Sequence, residues 1–474
     1  MTTLLAATLL SCLLPGDVTD VVRKQVLDSI EARRERYVQL AREIWQHPEL
    51  GYLEQQSSAL LAAELEANGF KVERGVAGIP TAFVASFGSG RPVVAVLGEY
   101  DALPGMSQAA LPEQKALAAG APGHACGHNL FGPGALAAAV AARQWLESTK
   151  SPGTVRFYGT PAEEGGGGKL YMLREGLFSD VDVALAWHPA DRNDPSDASM
   201  IAAINANFRF RGVAAHAAMA PERGRSALDA VEAMNFMVNL MREHVPAQTR
   251  IHYIITQGGK APNIVPDVAA SSYIVRHPDL AELERIWERV LDAARGAALG
   301  TGTSMEFELE SFYYPILGND CLSELQRANF ERVGGVEYSP EEQAFAEAIA
   351  RTLPPGGLPL GSQRALAPSD YEPGRASSDV GDVSWNVPTG HMSIATWVPG
   401  TAAHTWQAVA AGGTSIGEKG MLVAAKTLAL TMIDLFDEPA LVREAREEFD
   451  RRRGSSRWTW RLGDRTPPLD YRRK

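Results

Sequence analysis

Apolar and polar positions set three different rhythms along the chain. Residues 17–47 carry Val21, Val22, Val26, Ile30, Tyr37, Leu40 and Ile44 at helical spacing and predict one amphipathic helix, closed by His47-Pro48. A second helix is expected over 57–68, stopped by Gly69, with a strand opening at Phe70. The short β-type runs 81–87 and 93–97 are parted by Gly88-Ser89-Gly90, which predicts a hairpin or turn between them. A helix over 135–146, a strand over 154–158, a helix over 169–175 and an apolar strand over 181–187 follow. Continuous apolar strands alternating with helices indicate an α/β fold with a mostly parallel, doubly covered sheet.

The rhythm then changes. Residues 201–211 alternate as a half-exposed strand, followed by a helix over 226–244, strands over 250–255 and 269–276, a helix over 279–298 and a strand over 304–310. That β-α-β-β-α-β order is the ferredoxin-like split unit. It is read as a domain, 203–311, inserted between a first part (1–202) and a second part (312–474) of the α/β domain. The α/β pattern resumes with a helix over 322–332, an irregular Pro-, Gly- and Ser-rich excursion over 336–378, a strand over 392–398 and a helix over 420–436. The Arg-rich end from 443 reads as a solvated helix and an extended tail.

At 474 residues the chain has room for two or three domains, and a formal charge of −12 argues against nucleic acid or an anionic membrane surface as a partner. Three widely spaced cysteines, Cys12, Cys126 and Cys321, do not make a disulfide framework and suit a reducing cytoplasm. Residues 1–15 are apolar but carry no Lys or Arg, so they are not read as an export signal, and no run is long enough for a membrane span. A cytoplasmic protein with no membrane partner is expected.

In an open parallel sheet, ligands bind beyond the carboxyl ends of the strands. Four predicted strands end in Glu99 and Asp101, in Glu163 and Glu164, in His188 and, further on, in His404; the loop Gly123-His124-Ala125-Cys126-Gly127-His128-Asn129 follows the first of them. A thiolate and a neutral imidazole two positions apart suit a borderline-soft divalent cation. Of two adjacent glutamates ahead of four glycines, one can bind a metal while its neighbour stays free as general base for water; the residues alone leave open which does which.

Glu99-Tyr-Asp-Ala-Leu-Pro-Gly105, Gly123-His-Ala-Cys-Gly-His-Asn129, Pro161-Ala-Glu-Glu-Gly165, Trp187-His-Pro189 and His404-Thr-Trp406, in this order and spacing, resemble the dinuclear aminoacylase/carboxypeptidase-type amidohydrolases, nearest the branch acting on p-aminobenzoyl-glutamate. The resemblance implies that Cys126, His128, Glu164, His188 and His404 hold two divalent metal ions, zinc or manganese, with Glu163 as general base. It implies that the inserted domain is a lid through which two copies pair, and it leaves room for a different second subunit. His216 and Asn263 would stabilise the oxyanion, often in the partner's site, and Arg276 would meet a substrate carboxylate. Asp101 and His124 would support the ligands from behind. Many relatives have a histidine ligand where this chain has Glu99; Cys126 is taken to replace it, and Glu99 to lie outside the metal shell. The expected function is metal-dependent hydrolysis of the amide of an N-acyl amino acid or dipeptide-like substrate. The alternatives are an aminohydrolase or deaminase acting on another C–N bond, and a chain active only together with a second, different one.

Overall fold

The computed structural model describes residues 20–195, 200–368 and 376–473. The apolar stretch 1–15 lies outside them. The described strands are β1 (Lys71–Arg74), β2 (Phe83–Ser89), β3 (Val93–Gly98), β4 (Gly153–Gly159), β5 (Val183–Ala190), β6 (Ala202–Arg211), β7 (Arg250–Gln257), β8 (Val268–His277), β9 (Ser304–Tyr313) and β10 (Thr389–Ala395). They form two sheets, β1-β2-β4-β3-β5-β10 and β7-β8-β6-β9.

In the first sheet β4, β3, β5 and β10 run parallel, and β2 and β1 add an antiparallel edge. The expected hairpin between β2 and β3 is not formed. β4 lies between them, antiparallel to β2 and parallel to β3. All six residues of β3 are buried, which suits a central strand covered on both faces, whereas β2 becomes exposed towards Ser89. The helix His128–Thr149 packs on β3, β4 and β5 and against the helix Ser415–Asp437. Its buried alanines, Ala135, Ala137 to Ala139, Ala141 and Ala142, let it lie close between sheet and helix.

Three further expectations change. The single helix over 17–47 breaks at Arg33 into Asp20–Ala32 and Arg34–Gln46. The break lets the first piece pack on Ser415–Asp437 and the second on His128–Thr149. The excursion 336–378 contains the helix Pro340–Ala350, started by a capping box between Ser339 and Glu342 with proline at the first turn. The tail beyond the helix Pro439–Arg453 is not a solvated end: Trp458, Trp460 and Tyr471 pack against the core.

The second sheet is fully antiparallel, and its order in chain terms is 4-1-3-2, the ferredoxin-like arrangement. Its helices Ala227–Met241 and Leu280–Thr301 pack on it through a core separate from that of the first sheet, built around Phe208, Tyr273, Trp287 and Val290. β7 is an edge strand, and Ile254 and Ile255 on it are exposed. Among the described residues no helix is long and apolar enough to cross a membrane.

Candidate metal centre

The parallel strands deliver their chemistry to one edge. β3 ends at Gly98 and hands on Glu99 and Asp101; β4 ends at Gly159 ahead of Glu163 and Glu164; β10 ends at Ala395 ahead of His404. His188 does not follow β5 but lies within it, with Pro189 beside it. The proline is tolerated because β3 pairs with β5 only at Val183–Leu185, leaving no ladder bond for the missing N–H there.

Cys126 and His128 are placed by a helix start. His128 opens the helix His128–Thr149, seven residues earlier than the sequence suggests, and Gly127 precedes it at φ +79°. A Cβ on Gly127 would also lie 2.6 Å from Pro189, so only glycine fits. Cys126 therefore sits just ahead of the N-terminus of a long helix. Two non-glycine residues of the centre, Ala162 (φ +57°) and His404 (φ +60°), are also left-handed. Backbone strain of this kind collects at functional sites.

The donor atoms converge in overlapping groups. Cys126, His128 and His188 offer ligand atoms within 4.8 Å of one another, and so do Cys126, Glu164 and His404. Cys126 belongs to both. A third group joins Glu99, His128 and Glu163. The imidazoles are oriented from behind. His128 donates Nδ1–H to the Asp101 carboxylate at 2.9 Å, and His188 donates Nδ1–H to the Pro189 carbonyl at 2.7 Å, which turns each Nε2 towards the cluster. His188 Nε2 lies 3.4 Å from the Cys126 sulfur, and His404 Nε2 3.0 Å from Glu164 Oε1. Asp101 uses its second oxygen to accept the Glu164 backbone N–H at 2.9 Å, so one carboxylate aligns two strand ends.

The electrostatics call for positive charge. Burial, with Glu164 beside it, pushes the Cys126 thiol well up. Burial together with Glu99, Glu164 and Asp379 does the same to the Glu163 carboxyl. Burial alone would discharge His128, but Cys126, Asp101 and Glu99 outweigh it and hold its pKa well above the usual imidazole range. Burial and His128 hold His188 down to about 4, so it is neutral and ligand-competent near pH 7. His128 Nε2 and Glu99 Oε2 are both buried without a hydrogen bond although they face each other at 3.1 Å. A soft thiolate, imidazoles and carboxylates around orphaned buried donors fit a pair of divalent cations.

The other expected residues separate into two sets. His124 is buried near the cluster and bonds the Ile44 carbonyl at 3.1 Å, tying the loop to the helix Arg34–Gln46. Burial takes its pKa down to about 3. His216 and Asn263 are exposed neighbours on the lid, joined by the backbone bond from Ala217 N–H to the Asn263 carbonyl, and neither contacts the cluster. Arg276 is half-buried on β8, 3.5 Å from the Ser377 hydroxyl. Burial lowers its pKa.

Glu99 does not stay outside the centre. One oxygen faces His128, and the other accepts from the fully buried Lys169 ammonium at 2.6 Å. Lys169 also holds Asp379, at 2.7 Å through its side chain and 2.9 Å through its backbone N–H. Asp379 precedes the helix Val380–Ser384 but makes no capping bond with its side chain, which pairs with Lys169 instead. Glu54, likewise unanticipated, is buried, accepts the Ala162 N–H at 2.8 Å and is pushed by burial up to about 8. Nothing local in the sequence marks Lys169 or Glu54; a charged residue at the start of a short helix is ordinarily solvated.

The chain is similar in sequence and in fold to known proteins. The Peptidase dimerisation domain family matches residues 202–301. The chain is 43% identical to a p-aminobenzoyl-glutamate hydrolase subunit of Escherichia coli, over 89% of this chain and 93% of the relative. It is 32% identical to the Xaa-Arg dipeptidase of Mus musculus, over 91% and 92%. In fold it is similar to an aminobenzoyl-glutamate utilization protein from Klebsiella pneumoniae, at TM-score 0.63 and 19% identity over 86% of this chain and 98% of that one. It is similar also to a Bacillus subtilis dinuclear metal binding peptidase of the M20 family, at TM-score 0.58 and 20% identity over 86% and 99%. Sheet order, inserted unit, strand-end residues and a relative alike along nearly its whole length agree: the chain belongs to the M20 peptidase family, with an α/β catalytic domain and an inserted dimerisation domain.

Proposed function

We propose that the chain is a metal-dependent amidohydrolase that cleaves the amide of an N-acyl amino acid, of the p-aminobenzoyl-glutamate kind, or of a similar dipeptide. The observation that carries this reading is the pair of donor triads sharing Cys126, with a further glutamate, Glu163, outside both of them at the same strand ends and beside Glu99 and His128. Cys126, His128 and His188 would hold one divalent ion and Cys126, Glu164 and His404 the other, zinc or manganese suiting the mixed donors. When bound, the ions supply Lewis acidity towards the amide carbonyl and lower the pKa of the attacking water. Glu163 takes that water's proton on its carboxylate and returns it to the leaving nitrogen. Arg276, half-buried and without a carboxylate partner among the described residues, meets the substrate's free carboxylate. The same reading divides the chain into 1–202, 203–311 and 312–474, a division supported by the separate cores of the two sheets.

The test is a hydrolysis screen on N-acyl amino acids with and without chelator. Turnover is expected to vanish with chelator, to return with zinc or manganese, and to release a free amino acid; release of ammonia instead would support the aminohydrolase alternative. Two similar Escherichia coli proteins carry the names of two different subunits of one enzyme, p-aminobenzoyl-glutamate hydrolase, and this favours a second reading, in which the present chain needs a different partner chain. A purified homodimer inactive on the whole panel with metal added would support that reading.

His216 and Asn263 would act across a homodimer. Supporting this are the unpaired edge of β7, with Ile254 and Ile255 exposed, and the exposed Phe236 and Leu240 on the neighbouring helix Ala227–Met241. Mixing inactive His216→Ala and Glu163→Gln proteins and allowing protomers to exchange should restore about a quarter of wild-type activity, the share of intact sites from random pairing. Recovery of none would remove the trans assignment.

A further inference from the structure

Residues 454–473 leave the helix Pro439–Arg453, cross the lid and end against the loop that carries Glu163 and Glu164. Trp458 donates its indole N–H to the buried Asp382 at 2.7 Å. Arg461 pairs with Glu284 on the lid helix Leu280–Thr301 at 2.6 Å. Arg465 bonds the Glu308 carboxylate and the Leu309 carbonyl, both on β9, at 2.9 and 2.8 Å. The segment then reaches the metal centre. The Tyr471 hydroxyl donates to the Glu164 carbonyl at 3.0 Å, and the Arg472 guanidinium donates to the same oxygen at 2.6 Å. The space is reserved for it, since a Cβ on Gly51 would collide with the Tyr471 hydroxyl.

The loop so reached passes through the left-handed Ala162 and then four glycines. Its own backbone bonds run from Gly165, Gly166 and Gly167 back to Glu163 and Ala162, and contacts from outside fix the rest. Glu54 holds the Ala162 N–H, and Tyr52 holds the Gly166 carbonyl at 2.7 Å. The Glu164 residue is gripped from both sides, its N–H by Asp101 and its carbonyl by the tail. The tail's other anchors lie on both domains: Arg461 and Arg465 hold the lid, while Trp458 bonds Asp382 and the carbonyls of Arg465 and Thr466 accept from Arg174 and Tyr171 of the catalytic domain.

We propose that Tyr471 and Arg472 are positioning residues for hydrolysis: the C-terminal segment clamps the Glu163–Glu164 loop to the lid and fixes the base and its neighbouring ligand in register with the lid-borne groups. This rests on the reading of Glu163 as base. The two acceptances by one carbonyl make the clamp specific, because a Glu164 residue rotated about its flanking bonds would lose both at once. The mechanical connection also means that lid position and loop geometry are not independent.

The test uses the full-length, metal-loaded protein carrying Tyr471→Phe, Arg472→Ala, both together, and Arg472→Lys. Hydrogen exchange of amides 162–168, kcat and KM, and the thermal midpoint are read for each. The double variant should exchange the loop amides at least about tenfold faster and lose about tenfold or more in kcat, with KM within about twofold of wild type. Arg472→Lys should recover part of the kcat. A folded double variant with unchanged loop exchange and unchanged kcat overturns the proposal, as does a lowered midpoint without faster exchange in the loop. If the double variant does not fold, Tyr471→Phe alone is judged on the same readouts. Glu163→Gln is assayed in parallel. Should it stay active, the base assignment fails while loop exchange still judges the clamp; should it be dead while the tail variants match wild type, the clamp alone fails.

Discussion

Replacing Glu163 with glutamine should lower kcat by about 10²–10⁴-fold, the usual worth of a positioned general base, while metal content and fold stay as they are. The two properties separate because Glu163 lies outside both of the triads that share Cys126. The amide is the same size as the carboxylate. It also carries no charge, so it relieves the repulsion from Glu99, Glu164 and Asp379 that crowds this carboxyl. The thermal midpoint should therefore hold or rise. A variant keeping more than about a tenth of wild-type kcat would not be missing its base. Metal analysis of the dialysed variant completes the check: loss of an ion would mean that Glu163 is a ligand and that Glu164 has been given the wrong role.

Cys126→Ser should empty the centre. Its sulfur is the donor common to the two groups, so one exchanged atom weakens both ions, whereas changes at His188 or His404 reach one group each. A neutral hydroxyl in place of a thiolate removes charge as well as softness. Residues that merely support ligands already cost about 10–100-fold in affinity, so the loss here should be at least about 100-fold. Dialysed protein should carry neither ion. The stabilisation that added metal gives the wild type, about 2.7 kcal/mol at a hundredfold excess over Kd, should be missing from the variant. Full metal content and activity in Cys126→Ser would show that the thiol is a buried bystander.

The residues that converge were readable before the fold was, because a parallel sheet turns position in the chain into position at an edge. Glu99, Asp101, Glu163, Glu164 and His188 each follow or close an apolar run, so their meeting follows from the sheet alone. What strands lie beside one another was not readable. β2 and β3 are close in sequence, but the crossover through the helix His128–Thr149 brings β4 between them. The helix Pro340–Ala350 had a legible signal in Ser339-Pro340-Glu341-Glu342, obscured by the Pro- and Gly-rich residues around it. Lys169 could not be found locally. Its burial is made tolerable only by Glu99 and Asp379, which lie 70 and 210 positions away. The role of Glu99 was missed for the same reason, since its position invited comparison with a ligand and its partner was invisible. Charge density in the tail suggests solvation, but several of its arginines bond lid carboxylates and backbone carbonyls.

The order in which these pieces appear has a consequence for biosynthesis. Cys126, His128, Glu164 and His188 are made early, the lid follows, and His404 comes after it. A nascent chain can form β3, β4 and β5 while most of the message is still untranslated, yet β10 must join their edge before His404 can reach Glu164. One triad is complete long before the other. A ribosome stalled after the lid would thus display a half-built centre with one donor triad in place.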